Sequence, residues 1–426
     1  MADLRQPEDD IIATVPAGAP TELAVGSVGD YVRSLATRIR SGESGALPVI
    51  VGLAVIVIFF WVKNPAFMTP SNLVNLMTQS AFIITLGMAE IFVLLIGDID
   101  LAAGFTAACA AVIALWMLAL GDPWWISVIV ALVAAAAYGA LQGGITARLG
   151  LPSFVVTLAG QLGLSGLLLY LVGRTGGIST GGVIPLHDPV INAIEGSQLS
   201  SGWTWIVMVV MGVLSALVIF VGDYRHLSNG LVAPPMSITV LKMLGTVVAC
   251  LVVAWVADLN RGRITVIQGL PWAVVVVLGI LGLWTVLLGR TRFGRYVYAI
   301  GGNAEAARRS GINVSRVRML AFTFCGLTAG MTGIIYASYL GSISTSVNGG
   351  QNVLNAVAAA VIGGTSLFGG RGKMLHAVLG GLIVGIIYNG LEIIGLSAAA
   401  QQMWTAAVLI AAVIIDRLAR TQARTR

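Results

Sequence analysis

TRFGRYVYAIGGNAEAARRSGINVSRVR, Thr291 to Arg318, interrupts two long apolar regions of a 426-residue chain. With Arg290 it carries seven arginines against one acid, Glu305. Its centre reads as a short helix. Asn303 follows Gly301-Gly302 and is placed to cap, Ala304 to Ser310 are mostly strong helix formers, and Gly311 is placed to end the run. About two turns of helix cannot hold themselves in water, and this one is too polar for lipid. It therefore needs a protein partner. Ala304, Ala306 and Ala307 let another backbone come close, while Arg308 and Arg309 offer charge to an acidic rim. The plainer reading of the same charge is an ordinary positive loop beside a membrane.

Composition decides what flanks that loop. Hydrophobic residues make up 57% of the chain and charged residues only 10%, with 53 glycines; the mean hydropathy is +0.93. That balance is a bundle of membrane helices, packed closely through small residues. The net charge of +6 sits in loops between apolar spans, so it predicts topology and no nucleic-acid partner. Cys109, Cys250 and Cys325 lie in apolar runs without CxxC spacing, and His187, His226 and His376 are scattered. Neither a disulfide framework nor a metal site is expected.

Residues 1–45 form a polar tail. Tyr31, Val32, Leu35 and Ile39 recur at helical spacing with Arg33, Arg38 and Arg40 between them, which fits either an interfacial helix or a disordered tail with a helical patch. No apolar run near Met1 suggests a secretory signal. Apolar spans then follow at 47–62, 73–96, 101–120, 124–146, 152–173, 203–222, 238–257, 270–288, 319–340, 353–365, 375–395 and 401–416. They predict an all-α polytopic membrane bundle of about twelve transmembrane segments. The membrane domain covers 46–416, with a loop at 289–318 inside it and a basic tail at 417–426. The span at 353–365 is too short to cross alone, which predicts a broken or re-entrant helix.

Basic residues set the orientation. With the N-terminus inside, Arg5, Arg33, Arg38, Arg40, Arg148, Arg225, Lys242, the seven loop arginines, Arg371, Lys373, Arg417, Arg420, Arg424 and Arg426 are inside. Lys63, Arg174, Arg261 and Arg263 are outside. Both termini and the 291–318 loop are thus expected in the cytoplasm, and the loop 174–202, with His187 and Glu195, faces outward.

Ionisable groups at membrane depth need a reason. Glu90, Asp98, Asp100 and Glu392 are the candidates. Asp98 and Asp100 sit in IGDIDLAAG, between two apolar runs. Either this segment lines a pathway or anchors a gate, or Asp100 caps the helix that follows; the two roles are compatible. Glu90, mid-span, is expected to find hydrogen bonds within the bundle. Asn72, Asn75 and Gln79 share one helix face, and Gln142, Gln161, Asn355, Asn389, Gln401 and Gln402 add amides. Amides suit an uncharged polyol passing through, and they also serve as glue between helices. Phe154 and Trp404 are placed to stack on a sugar ring or to pack on neighbours. Asn75, Gln79, Asp98, Asp100, Phe154 and Asn355 are the path candidates. No catalytic set is readable and no GxxxxGK[ST] occurs, so the chain itself is not expected to be an enzyme.

Four motifs carry a resemblance: GDIDLAAG (97–104), LPSFVVTLAG (151–160), TRFGRYVYAIGGNAEAARRSGINV (291–314) and VIGGTSLFGGRGK (361–373). In this order they resemble the membrane permeases of bacterial ATP-binding-cassette sugar importers, over about 47 to 416. The likeness is strongest to the xylose-type members. In those an extra helical pair is inserted, here 203–222 and 238–257, giving a core of ten plus two. Where the family commonly has GIDLSVGS, this chain has GDIDLAAGF, so the serines are gone.

The resemblance implies a type II importer fold like that of the vitamin B12 importer. It also implies a coupling helix docked on an ATPase subunit, placed here on Gly302, Asn303, Glu305, Ala306, Ala307, Arg309, Ser310 and Gly311. Further implications are a homodimer in the lipid bilayer of a bacterial plasma membrane, an extracytoplasmic sugar-binding protein, and a monosaccharide such as xylose. No cofactor is implied in this chain, ATP and magnesium belonging to the ATPase. Competing readings are an ion-coupled secondary transporter using Glu90, Asp98 and Glu392, a membrane-embedded enzyme, and an importer of amino acids or nucleosides from the same superfamily.

Overall fold

The computed structural model describes residues 47–174, 182–228, 236–262, 265–397, 399–404, 406–407 and 410. The tail at 1–45 with its proposed interfacial helix, the basic tail at 417–426 and most of the span at 401–416 lie outside the described residues. Eight described helices are long and apolar enough to cross a bilayer, and three shorter apolar ones accompany them. The chain is a polytopic helical membrane protein.

In chain order, α1 (Leu47–Lys63), α2 (Pro70–Leu94), α3 (Ala103–Ala119), α4 (Trp124–Leu149) and α5 (Ser153–Arg174) form the first half. The segment that follows was expected to be a loop, but it contains β1 (Val183–Pro185) and α6 (Pro189–Gly196). Asp188 starts α6, its Oδ1 accepting from the amides of Val190 and Ile191 at 2.9 Å each. Next come α7 (Ser201–Ser228), α8 (Met236–Asp258) and α9 (Trp272–Arg290). The second half has α10 (Arg292–Gly302), α11 (Ala304–Arg309), α12 (Val314–Leu340), β2 (Ser342–Ser344), α13 (Gly349–Ile362) and α14 (Met374–Ile393).

The inserted pair α7 and α8 is a hairpin that pairs mainly with itself. Thr239 Oγ1 donates to Asp223 Oδ2 at 2.7 Å near one end, and Trp205 Nε1 donates to Asp258 Oδ2 at 3.0 Å near the other. Met208, Ala254 and Ala257 form a small buried cluster with Leu270, whose amide also donates to Thr204 Oγ1 at 3.0 Å. The remaining apolar surface suits lipid.

Two of the short helices explain the architecture. α3 has 17 residues and α13 has 14, about 25 and 21 Å at 1.5 Å per residue. Neither matches the ~30 Å hydrocarbon core. Their N-termini meet, so closely that a Cβ on Gly104 would run into the carbonyl of Gly349. From that point they diverge. α13 runs to Gly363, which lies against His376 at the start of α14. α3 leads the other way into α4, which returns to Ala147 beside Ser315 at 2.7 Å. Each is preceded by non-helical backbone, residues 97–102 in one case and 341–348 in the other. Such backbone survives at membrane depth only when packed in protein, and Asp98 and Asp100 are indeed buried. Discontinuous helices of opposite direction meeting N-terminus to N-terminus are a known transporter device.

This geometry revises the expected cap. The residue before α3 is Ala102, which makes no side-chain cap. Asp100 sits two residues further back, and its Oδ1 accepts from the Ala102 amide at 3.0 Å, so the carboxylate braces the turn into the helix. Glu90 is fully buried; the Asp100 backbone lies beside its carboxylate, which makes no other close hydrogen bond among the described residues.

Candidate functional site

The arginine-rich segment is more ordered than the sequence suggests. Besides the expected helix α11, residues 292–302 form α10, and 314–318 already belong to α12. Thr291 caps α10, its Oγ1 accepting from the Gly294 amide at 3.3 Å. Gly294, Val297 and Ile300 are buried. α11 is capped as read, with Asn303 Oδ1 accepting from Ala306 N at 2.9 Å. Gly311 follows in the left-handed region at φ +83°, where only glycine is unstrained. Its amide returns to Arg308 O at 3.0 Å, and Ile312 N to Ala307 O at 3.1 Å, closing the helix.

The side chains of α11 divide by face. Ala307 is buried against its own chain, so its small size serves packing within this subunit. Gly302, Asn303, Ala304, Glu305, Ala306, Arg309, Ser310 and Gly311 are exposed. Glu305 pairs with Arg308 Nη2 at 2.7 Å and with Arg309 Nε at 3.1 Å. Hydrogen bonds from Arg308 and then Arg309 hold its carboxyl below the ordinary glutamate range. These pairs are solvated and contribute little to folding.

What lies under α10 and α11 is unusual. Gly301 meets Gly370 so closely that a Cβ would strike Leu95 O and Gly370 N. Gly370 N donates to Leu95 O at 2.8 Å, and Tyr298 OH donates to Gly372 O at 2.8 Å. Leu95 follows α2 directly and precedes the broken junction into α3. Beyond it, Asp98 Oδ2 accepts from Arg318 Nε at 2.6 Å and Asp98 Oδ1 from Arg318 Nη2 at 3.1 Å. The two helices that flank α11 are thereby joined to the interior break, α10 by backbone contact and α12 by a two-pronged ion pair.

A second polar assembly lies toward the β1–β2 side. Gln79 on α2 accepts from Asn389 Nδ2 at 3.0 Å and donates to Glu392 Oε2 at 3.4 Å, both partners on α14. Gln79 also engages the Tyr339 hydroxyl. Phe82 packs on Tyr336 and Tyr339, with ring centroids 4.8 and 6.2 Å away. Tyr336 reaches Asn352, and Asn355 Oδ1 accepts from both Tyr388 OH and Gln351 Nε2 at 3.3 Å. Glu195 of α6 borders Tyr339. Its carboxylate oxygens have no hydrogen-bond partner among the described residues, and burial pushes its carboxyl up to about 8.

The sequence candidates thus fall in different places. Gln79 and Asn355 join one aromatic and amide wall, and Asn75 is exposed one turn before Gln79 on α2. Asp98 and Asp100 sit at the broken junction, where Asp100 also contacts Gln142 Nε2 at 3.5 Å and Cys325 Sγ at 3.6 Å. Phe154 is 57% exposed at the start of α5, next to Ser153, whose side chain hydrogen-bonds Asp98. Asn72, read as a neighbour of Gln79, exchanges amide hydrogen bonds with Asn389 at 2.8 and 2.9 Å. Sequence reasoning missed Phe82, Tyr336, Tyr339, Tyr388, Asn352 and the place of Glu195. The available signal was Tyr336 and Tyr339 three apart within an apolar helix, and Tyr388, Asn389 and Glu392 on adjacent turns of another.

Broken helices, a polar wall inside an apolar bundle and an exposed short helix define a polytopic helical membrane protein of the permease class. The chain belongs to the family described as branched-chain amino acid transport system / permease component, which matches residues 72–415. It is 34% identical over 373 residues to the xylose transport system permease protein of Escherichia coli, covering 85% of this chain and 89% of that one. To the corresponding xylose protein of Haemophilus influenzae it is 32% identical over 381 residues, covering 86% and 95%. To the ribose import permease protein of Bacillus subtilis it is 30% identical over 379 residues, covering 88% and 94%. No solved structure matches the chain.

Proposed function

We propose that this chain is the membrane subunit of an ATP-driven importer of a monosaccharide, with a pentose such as xylose as the favoured cargo. ATP and magnesium belong to a separate ATPase that docks on the exposed face of α11. A sugar-binding protein delivers cargo on the β1–β2 side, both chain termini are cytoplasmic, and the working unit is a pair of these chains. The observation that carries this reading is the join beneath α11. A push there reaches Leu95 through backbone contact and Asp98, at the broken junction, through the Arg318 ion pair.

The polar wall supports an uncharged cargo. Its side chains are amides, tyrosines and two carboxylates, which accept and donate hydrogen bonds to hydroxyls while aromatic faces stack on a sugar ring. An amino acid would need a cation for its carboxylate, and this cluster supplies none among its members. A second copy is favoured because Asn75 and the edge of the Gln79 face are poorly suited to lipid. ATP binding acts only if the ATPase favours one state of the bundle over the other.

The test is co-isolation of the ATPase with the wild-type chain and with Glu305→Arg/Ala306→Trp, which alters only exposed positions of α11, followed by xylose uptake in vesicles. Loss of the ATPase from the variant, with ATP-dependent uptake by the wild type, supports the reading. Uptake by the chain alone, driven by a proton or sodium gradient, overturns it.

A further inference from the structure

Three cavities run together along the edge where α4 meets α12. One, about 330 Å³, is lined mainly by apolar side chains, Leu141, Ile145, Leu149 and Met319 among them. It shares Gly144, Arg148 and Met319 with a second cavity of about 190 Å³ that adds Arg316. That one continues, through Ala147, Asn313 and Ser315, into a third of about 410 Å³ reaching Arg308 and Arg318. An apolar lane therefore opens from the side of the bundle and ends among guanidinium groups at its boundary.

The arginines differ in what they already hold. Arg308 is paired with Glu305 and Arg318 with Asp98. Arg148 and Arg316 are exposed and form no ion pair among the described residues. Arg148 lies in the last turn of α4, and Arg316 in the first turn of α12. They flank the N-terminal end of α12, whose helix dipole favours an anion. The lane is open beside Gly144, where a Cβ would meet nothing closer than Met319 Sδ at 4.0 Å.

We infer that this groove binds an anionic phospholipid, an acyl chain in the lane beside Gly144 and Met319 and the phosphate between Arg148 and Arg316. Basic pockets between helices at the membrane boundary recognise such head groups, and the adjoining apolar lane distinguishes a lipid from a soluble anion. Because the groove borders α11 through Arg308, the bound lipid touches the element proposed to take the ATPase. The inference itself needs only a membrane-embedded bundle and stands apart from the cargo.

Native mass spectrometry of the full chain in detergent, titrated with phosphatidylglycerol or phosphatidylcholine, tests it. The wild type should prefer phosphatidylglycerol by roughly ten-fold or more. Arg148→Gln/Arg316→Gln should remove the preference, and Arg148→Lys/Arg316→Lys should keep most of it. Gly144→Leu, which fills the lane and leaves the charge alone, should also weaken phosphatidylglycerol. Equal binding of the two lipids by the wild type, or an unaltered preference in the glutamine pair, overturns the assignment. So does displacement of the lipid by millimolar inorganic phosphate, or indifference to Gly144→Leu, either of which would leave an anion site without an acyl lane.

Discussion

Asp98 and Arg318 are 220 positions apart in sequence and form a two-pronged ion pair, at 2.6 and 3.1 Å, across the junction of α2 and α3. The carboxylate is only 6% exposed and the guanidinium 31%. Removing one partner of such a pair strands a buried charge, a loss of about 3 kcal/mol or more. Arg318→Ala should therefore lower the melting temperature of the purified chain markedly. Asp98→Asn/Arg318→Gln, which removes both charges, should recover much of the loss. A double variant no more stable than Arg318→Ala would show that the pair does not act as a unit.

Glu195 gives the chain a pH-dependent stability. Its carboxyl is pushed up to about 8 from an ordinary 4.5, so the folded chain holds a proton that the unfolded chain releases. The unfolded state then binds fewer protons between these values, and stability falls as pH rises from about 4.5 to 8, on the order of 1 kcal/mol per pH unit. Above 8 this contribution is flat. Glu195→Gln should remove that slope and leave the variant more stable than wild type at pH 9. Melting curves of the two proteins at pH 5, 6.5, 8 and 9 check it, and parallel profiles would count against the assignment.

Gly301 admits no side chain. Gly301→Val would drive its Cβ into Leu95 O and Gly370 N, forcing α10 away from the 363–373 segment at a cost of about 1–3 kcal/mol. With Tyr298 and Arg371 both replaced by cysteine, cross-linking between the two positions should be efficient in the wild-type background. Adding Gly301→Val should reduce it sharply, and uptake should fall with it. Full cross-linking with full uptake would remove the mechanical role of this contact.

The polar wall predicts graded transport effects. Tyr336→Ala removes a ring that packs on Phe82 and a hydroxyl that reaches Asn352. Loss of one stacking and one hydrogen-bonding group amounts to about 1–2 kcal/mol, roughly ten-fold in uptake efficiency. Phe154→Ala, on the exposed start of α5, should have little effect. Initial rates of sugar uptake in vesicles with matched protein content compare them.

The parts legible in sequence were those written in local signals. Asn303 and Gly311 bracket α11 because capping and left-handed backbone depend on a few adjacent residues. The brevity of 353–365 announced an interrupted helix for the same reason. α10 escaped notice because glycines and aromatics dilute its helix propensity, and its apolar face only has meaning against α9 and α12. Asp100 read as a cap because nothing local reveals that the chain runs two further residues before turning helical. The tyrosines of the polar wall come from separate helices, so no window of sequence contains them. Glu90 is the hardest case, since its full burial beside the Asp100 backbone is a property of the whole bundle.

The contact of Gly301 with Gly370 has a consequence for timing. Side chains between two moving parts behave as a compliant layer, absorbing small displacements by changing rotamer and returning them late. Here bare backbone meets bare backbone, and the next atom along is the carbonyl of Leu95. A displacement of α10 and α11 therefore arrives at the end of α2 with little lost in between and little delay. Such a linkage is stiff in both directions, so movement at the interior break is also reported outward to whatever sits on α11.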